Sequence, residues 1–276
     1  MKKILLIGAG RSATTLINYL LDLCSENAWS LTIADMDAAN ALSKANGLAR
    51  GIGFDVHNEQ QRIDEIAQVD LVISMLPARF HPIVAETCLK YKIHLVTASY
   101  VTPEMMGLDQ QVRDNDLIFL NECGLDPGID HMSAMKVIDK IRSEGGDLFG
   151  FESFTGGLLA PSTHDNPWQY KFTWNPRNVV LAGQGVVKFI QKGRYKYIPY
   201  HRLFKRTEII HIPGYGYFEG YANRDSLKYL DVYQLEGIKT LYRGTLRRPG
   251  FCRAWDVFVQ LGATDDSYMM EAVEKM

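Results

Sequence analysis

The segment Gly8-Ala9-Gly10-Arg11-Ser12-Ala13 constrains this chain more than any other. It follows the apolar run Ile4-Leu5-Leu6-Ile7 directly, and the residues behind it, Ser12 to Cys24, have helical periodicity. Strand, glycine turn and helix in that order make a G-x-G-x-x-A βα unit. Gly8 permits a tight turn, Gly10 lets the backbone approach a pyrophosphate, and Ala13 allows helix and strand to pack closely. The helix start then offers unpaired N–H groups and a positive dipole end to phosphate. The strand–turn–helix context lifts the pattern well above a lone glycine motif.

The next hundred residues agree with that start. Short apolar runs at Lys3–Ala9, Ser30–Asp35, Gly51–Val56, Asp70–Leu76, Ile93–Tyr100 and Leu117–Cys123 predict six strands. Amphipathic stretches at Ser12–Cys24, Asp37–Asn46, Glu59–Ala67, Arg79–Tyr91 and Pro103–Asn115 predict the helices between them. Continuous apolar strands alternating with helices imply an α/β fold with a parallel sheet covered on both faces. The expected fold is therefore a Rossmann doubly wound sheet over residues 1–125. The pattern changes after Leu125-Asp126-Pro127-Gly128. Predicted beyond it are a helix Asp130–Ser143, a strand Leu148–Phe154, an aromatic-rich ordered loop Gly156–Pro176 and a helix Val179–Gln191. Strands Glu208–Ala222 and Lys239–Thr245 and a helix Phe251–Leu261 follow, giving a second, α+β substrate-binding domain over residues 126–276.

Composition narrows the function classes. A net charge of -2 and a pI near 6.4 give no electrostatic reason for nucleic acid or an anionic membrane as partner. No apolar run reaches the roughly 18 residues of a membrane-spanning helix. The apolar start ends at Gly8, too short for a secretory signal, whose apolar core runs to about 7–15 residues. Cys24, Cys88, Cys123 and Cys252 form no CxxC or zinc spacing, so no metal site is expected. Four unpaired thiols suit a reducing, cytoplasmic setting.

The strand ends carry the candidate cofactor contacts. Asp35 closes the second strand, where an acidic side chain accepts hydrogen bonds from the adenosine ribose and repels a 2′-phosphate. That favours NAD; Arg11 in the glycine turn leaves NADP open. Met75, Leu76 and Pro77 end the fourth strand, and Ser99 and Tyr100 follow the fifth. Ligands of open α/β sheets bind outside these carboxyl ends.

Longer blocks carry a resemblance. Ser99-Tyr100-Val101-Thr102-Pro103-Glu104-Met105-Met106 and Asn121-Glu122-Cys123-Gly124-Leu125-Asp126-Pro127-Gly128-Ile129-Asp130-His131 are similar to the saccharopine dehydrogenase family. So are Gly156–Pro161, Asp165–Pro167, Tyr170–Trp174, Tyr221–Ser226 and Arg243–Arg247, in family order along nearly the whole chain. The nearest resemblance is to the glutamate-forming group. It implies oxidation of the secondary amine of saccharopine, giving glutamate and 2-aminoadipate 6-semialdehyde, or the reverse reductive condensation. The implied catalytic residues are Tyr100 and Asp126, and the implied substrate contacts are Ser99, Tyr100, Asp126, Arg224, Thr245 and Arg247. To the cofactor side it adds Ser99, Leu125 and Trp174. Saccharopine carries three carboxylates, and arginine forks bind carboxylates bidentately. Arg248 and Lys171 are further basic candidates on that ground.

Two departures from the family pattern matter. Thr155 stands where many relatives have a cysteine, which puts an acid/base role there in doubt. Relatives also continue past the last block, so the resemblance implies either a truncated product or a short natural form. Alternative readings are a related dehydrogenase acting on carboxynorspermidine or lysine, and a dinucleotide-binding module without turnover. Expected partners are a small amino-acid substrate and, for self-association, a homodimer.

Overall fold

Ile4, Leu5, Leu6 and Ile7 are apolar at consecutive positions, which suits a strand with no solvent face. All four are buried, and they part by parity. Ile4 and Leu6 pack with Ile17, Leu20, Leu21 and Ile33 on one side, and Leu5 and Ile7 with Ile66, Val72, Val84 and Leu95 on the other. Each such side chain contributes roughly 1.5–3 kcal/mol of burial. A computed structural model describes residues 2–163, 165–173, 176–181 and 184–268. They divide into two units, Met1–Met132 and Ser133–Met276.

In the first unit the strands are β1 (Lys3–Ile7), β2 (Ser30–Asp35), β3 (Arg50–Gly53), β4 (Leu71–Ser74), β5 (His94–Thr97) and β6 (Phe119–Leu120). Their order is β3-β2-β1-β4-β5-β6, and every neighbouring pair is parallel. This is the doubly wound sheet expected from the sequence. The chain reverses its winding between β1 and β4, the switch point where such sheets bind ligands. Most differences lie at element ends. The predicted helix Pro103–Asn115 is two short helices, Pro103–Met106 and Asp109–Asp114, broken at Gly107 and Leu108.

The second unit holds β7 (Gly150–Thr155), β8 (Val186–Gln191), β9 (Arg194–Pro199), β10 (Glu208–Ile212), β11 (Gly216–Ala222) and β12 (Thr240–Arg247). β12 is the hub: it runs parallel to β7 and antiparallel to β11, and meets β8 at Leu241–Ile190. Helices Ile129–Ser143 and Phe251–Gln260 flank the long stretches of sequence that join these strands. Among the described residues no helix is long and apolar enough to cross a membrane.

One expectation fails here. Val179–Gln191 is not a helix: the helical turn Pro176–Val180 ends early, and Val186–Gln191 is strand β8. Val187, Phe189 and Ile190 are buried, and the β-branched residues favour the pleated form. The decisive element is the hairpin to β9, a strand absent from the sequence reading. Gln191 pairs with Arg194 across the two-residue turn Lys192-Gly193, whose φ values are 51° and 73°. Two positive φ angles mark a type I′ turn, whose twist matches the flanking strands. The predicted strand Glu208–Ala222 is likewise a hairpin, β10 and β11. Lys192 is a poor residue for that turn, so Lys192→Asn is expected to raise the unfolding free energy by about 0.5 kcal/mol in chemical denaturation. A loss of stability would contradict the turn assignment.

Candidate functional site

The glycine turn sits at the switch point. Gly8 has φ 102°, and a Cβ there would lie 3.0 Å from the Met75 backbone, so β1 and β4 approach too closely for a side chain. Gly10 differs: a Cβ there would meet nothing within 4 Å. Its need for glycine is thus not internal packing, and its open face fits a close pyrophosphate. Arg11–Ala13 form a single 3-10 turn that leads into helix Thr14–Asn27, with Ala13 buried and Arg11 and Ser12 exposed.

Asp35 does more than the sequence reading gave it. Its carboxylate accepts from the Ala9 N–H at 2.6 Å and the Asp37 N–H at 3.0 Å. Both oxygens are therefore engaged by backbone, and Asp35 anchors the glycine turn to the end of β2. Asn40 donates to the Ala9 carbonyl at 2.9 Å. Lys44 donates to the Gly10 carbonyl at 2.8 Å and to Thr14 Oγ1 at 2.9 Å. The last two residues were not found from the sequence; they lie on a helix with no spacing signal that links them to the turn.

Met75, Leu76 and Pro77 follow β4 as expected, and Ser99 and Tyr100 follow β5. A buried polar chain joins these ends. Ser74 Oγ lies 3.0 Å from His81 Nδ1, and His81 Nε2 lies 2.8 Å from Ser99 Oγ. His81 is only 2% exposed, and burial lowers its pKa from 6.5 to about 4. Nothing in the sequence singled out His81. The Tyr100 hydroxyl donates to Asp126 Oδ1 at 2.5 Å, so the two proposed catalytic groups are partners. Asp126 and the exposed Leu125 lie in the loop Gly124–Gly128, whose Asp126–Pro127 bond is cis. Gly128 closes that loop: a Cβ there would fall 2.0 Å from the Gly124 carbonyl oxygen. His131 Nε2 lies 3.4 Å from Glu122 Oε2, and Glu122 also accepts from the Val101 N–H, so this histidine belongs to the loop's support.

In the second unit Thr245 and Arg247 stand on the same face of β12. Arg247 is 8% exposed, and its guanidinium lies over the rings of Tyr170 (4.9 Å) and Phe251 (5.2 Å). Its Nη1 donates to the Leu246 carbonyl, while its Nε has no hydrogen-bond partner among the described residues. No carboxylate lies within ion-pair distance of it among those residues: Glu219, opposite it on β11, accepts instead from the Gly250 and Cys252 N–H groups. Tyr221, opposite Thr245 on β11, is buried beside this group. Burial pushes its hydroxyl up to about 12, against the opposing pull of Arg247 and Thr245. Asn166 shapes the loop that delivers Tyr170: its Oδ1 accepts from the Trp168 N–H and its Nδ2 donates to the Tyr170 carbonyl. Arg224 follows β11, exposed, with φ 50°. Arg248 stacks on Phe218 at 4.8 Å, and Lys171 pairs with Asp165 at 2.5 Å. Trp174 lies outside the described residues. Thr155 ends β7 opposite Thr245. No metal-binding group of three or more ligands occurs among the described residues.

A doubly wound sheet with a glycine turn at its switch point, followed by a mixed-sheet unit, defines the class: a two-unit protein with a dinucleotide-binding type of first unit. Residues 4–120 match the family model described as the saccharopine dehydrogenase NADP binding domain, and residues 124–275 the saccharopine dehydrogenase C-terminal domain. The chain belongs to the saccharopine dehydrogenase family. It is 36% identical over 278 residues to the saccharopine dehydrogenase [NADP(+), L-glutamate-forming] of Pyricularia oryzae, covering 99% of this chain and 61% of that one. It is 36% identical over 266 residues to the mitochondrial alpha-aminoadipic semialdehyde synthase of Bos taurus, covering 95% of this chain and 28% of the relative. The apo saccharopine dehydrogenase (L-Glu forming) of Saccharomyces cerevisiae superposes with a TM-score of 0.87 at 35% identity, over 97% of this chain and 60% of that one. The chain thus spans about three fifths of the single-enzyme relatives. These names point to NADP, where the sequence reading of Asp35 favoured NAD.

His81 makes stability depend on pH. Its folded pKa lies below its unfolded value, so between 6.5 and about 4 the unfolded chain binds the extra proton. The unfolding free energy is expected to fall as pH drops through that window, and to fall less in His81→Gln. Denaturation curves at pH 7, 5.5 and 4 that run parallel for the two proteins would refute this account of the imidazole.

Proposed function

We infer that this chain is an NADP-dependent oxidoreductase acting on the secondary amine of saccharopine. The observation that carries the reading is Arg247, a buried guanidinium between two aromatic faces with no carboxylate partner among the described residues. Such a group has been desolvated already, and a substrate carboxylate supplies the missing counter-charge. Arg224 and the Thr245 hydroxyl are further contacts for a substrate that carries three carboxylates.

The glycine turn fits the pyrophosphate, and the bound nicotinamide supplies the hydride acceptor for the amine-bearing carbon. The protein's own part is proton handling and orientation. Asp126 accepts the Tyr100 proton in a hydrogen bond, so the pair can hold a proton near the amine and pass it on when water adds. The NADP preference is supported by charge at the turn. Asp35 is held by two backbone N–H groups, and exposed Arg11 together with Lys44 places two cations around Gly10. A 2′-phosphate meets those cations.

The test follows reduced-nicotinamide absorbance with purified protein and saccharopine, offering NADP and NAD in parallel. Turnover with a higher kcat/KM for NADP is expected. Arg247→Lys should lower kcat/KM for saccharopine about thirtyfold, roughly 2 kcal/mol, chiefly through KM, because an ammonium cannot reproduce the planar fork. Cofactor binding without turnover would sink the assignment.

A further inference from the structure

The polar chain Ser74–His81–Ser99 has a direction that can be worked out from its surroundings. His81 is the first residue of helix His81–Tyr91, followed by Pro82, and its ring spans from the end of β4 to the residues after β5. A helix N-terminus and a buried setting both disfavour a charged imidazole. The ring's hydrogen-bond partners are two hydroxyls, with no carboxylate among the described residues to hold a proton on it. A neutral imidazole has one donor and one acceptor nitrogen.

Ser74 decides which is which. It is fully buried, and its hydroxyl has no partner but His81 Nδ1 among the described residues. If Nδ1 carried the hydrogen, Ser74 could only accept, and its own O–H would be stranded in a dry site. Ser74 therefore donates to Nδ1, the ring hydrogen sits on Nε2, and Nε2–H donates to Ser99 Oγ. Ser99 is partly exposed, and one lone pair of its oxygen is taken by that donor, so its own hydrogen is not used on His81. Its hydrogen remains for an acceptor beyond the chain, at the carboxyl edge of the sheet.

We propose that His81 is a positioning residue: by donating to Ser99 Oγ it leaves the Ser99 O–H to donate to an oxygen of a bound ligand, either the nicotinamide carboxamide or a substrate carboxylate. This rests on the oxidoreductase reading for the ligand, but the tautomer itself does not depend on it.

The first arm of the test needs no turnover. The whole chain is labelled with 15N-histidine and its long-range proton–nitrogen spectrum taken at pH 7, His81 being identified among the seven histidines by its loss in His81→Gln. A neutral ring with the hydrogen on Nε2 is expected. A charged ring, or the hydrogen on Nδ1, overturns the proposal. Ser74→Ala should raise the share of the Nδ1–H form, and an unchanged ratio also counts against it.

The second arm is a kinetic cycle. Ser99→Ala and His81→Phe should each lower kcat/KM about tenfold, with the double variant near the same tenfold because both remove one interaction. Independent losses that multiply to about a hundredfold overturn the coupling. Weakened NADP binding by fluorescence in Ser99→Ala assigns the acceptor to the carboxamide. Unchanged NADP binding with a raised saccharopine KM assigns it to the carboxylate, and no change in either refutes the donor role. If His81→Phe does not fold, Ser74→Ala replaces it in the cycle. A chain that shows the Nε2–H ring yet no saccharopine turnover rejects the functional reading and leaves the relay standing.

Discussion

The first unit is organised by the approach of β1 to β4. β1 is buried on both faces, so it cannot shift without emptying two layers of side chains at once. Its carboxyl end is tied to β4 through the Met75 N–H and the Ile7 carbonyl, and to β2 through the Gly8 N–H and the Ala34 carbonyl. Gly8 sits where those ties leave no room for a Cβ. The turn that follows is then located by the sheet, and Asp35, Asn40 and Lys44 hold its shape from the neighbouring βα unit. The backbone at Gly10 is thus held in place by the groups on either side of it.

The second unit handles a different difficulty, that of a desolvated cation. Arg247 has the electron-rich faces of Tyr170 and Phe251 about it, and such contacts recover part of the lost hydration without neutralising the charge. A paired carboxylate from the chain would have satisfied Arg247 fully and closed it to ligand. Aromatic faces leave the charge available while holding the guanidinium plane. Phe251 is itself set by helix Phe251–Gln260, whose start is fastened by Glu219 accepting from the Gly250 and Cys252 N–H groups.

How much of this was legible varied with the kind of signal. The six parallel strands were readable because burial on both faces writes a continuous apolar run into each. The glycine turn was readable because its spacing follows from backbone geometry. The β8–β9 hairpin was not: Val186–Gln191 is short and apolar enough to suit either period, and Lys192 does not advertise a type I′ turn. Asp35 was placed correctly on β2, but its side-chain direction, inward to Ala9, has no trace in the sequence. His81 shares a buried chain with residues 7 and 18 positions away, a juxtaposition made by the sheet alone. Arg247 was singled out as a carboxylate ligand, while the rings that hold it come from a loop and a helix whose meeting no local pattern encodes.

The hub position of β12 also bears on how the chain is made. The first unit has every strand of its sheet by Leu120, and consecutive strands there join through ordinary βα crossovers, only β1 waiting for a second neighbour, β4 at Leu71–Ser74. The second cannot assemble its sheet in that stepwise way. β7 waits for residues some ninety positions downstream before it gains its partner, since its pairing is with Thr240–Thr245. On a ribosome moving at about 5–20 residues per second, β7 therefore spends several seconds as an unpaired edge after it emerges. Such an edge is where a nascent chain is open to wrong pairing, so the second unit carries that exposure during synthesis far longer than the first.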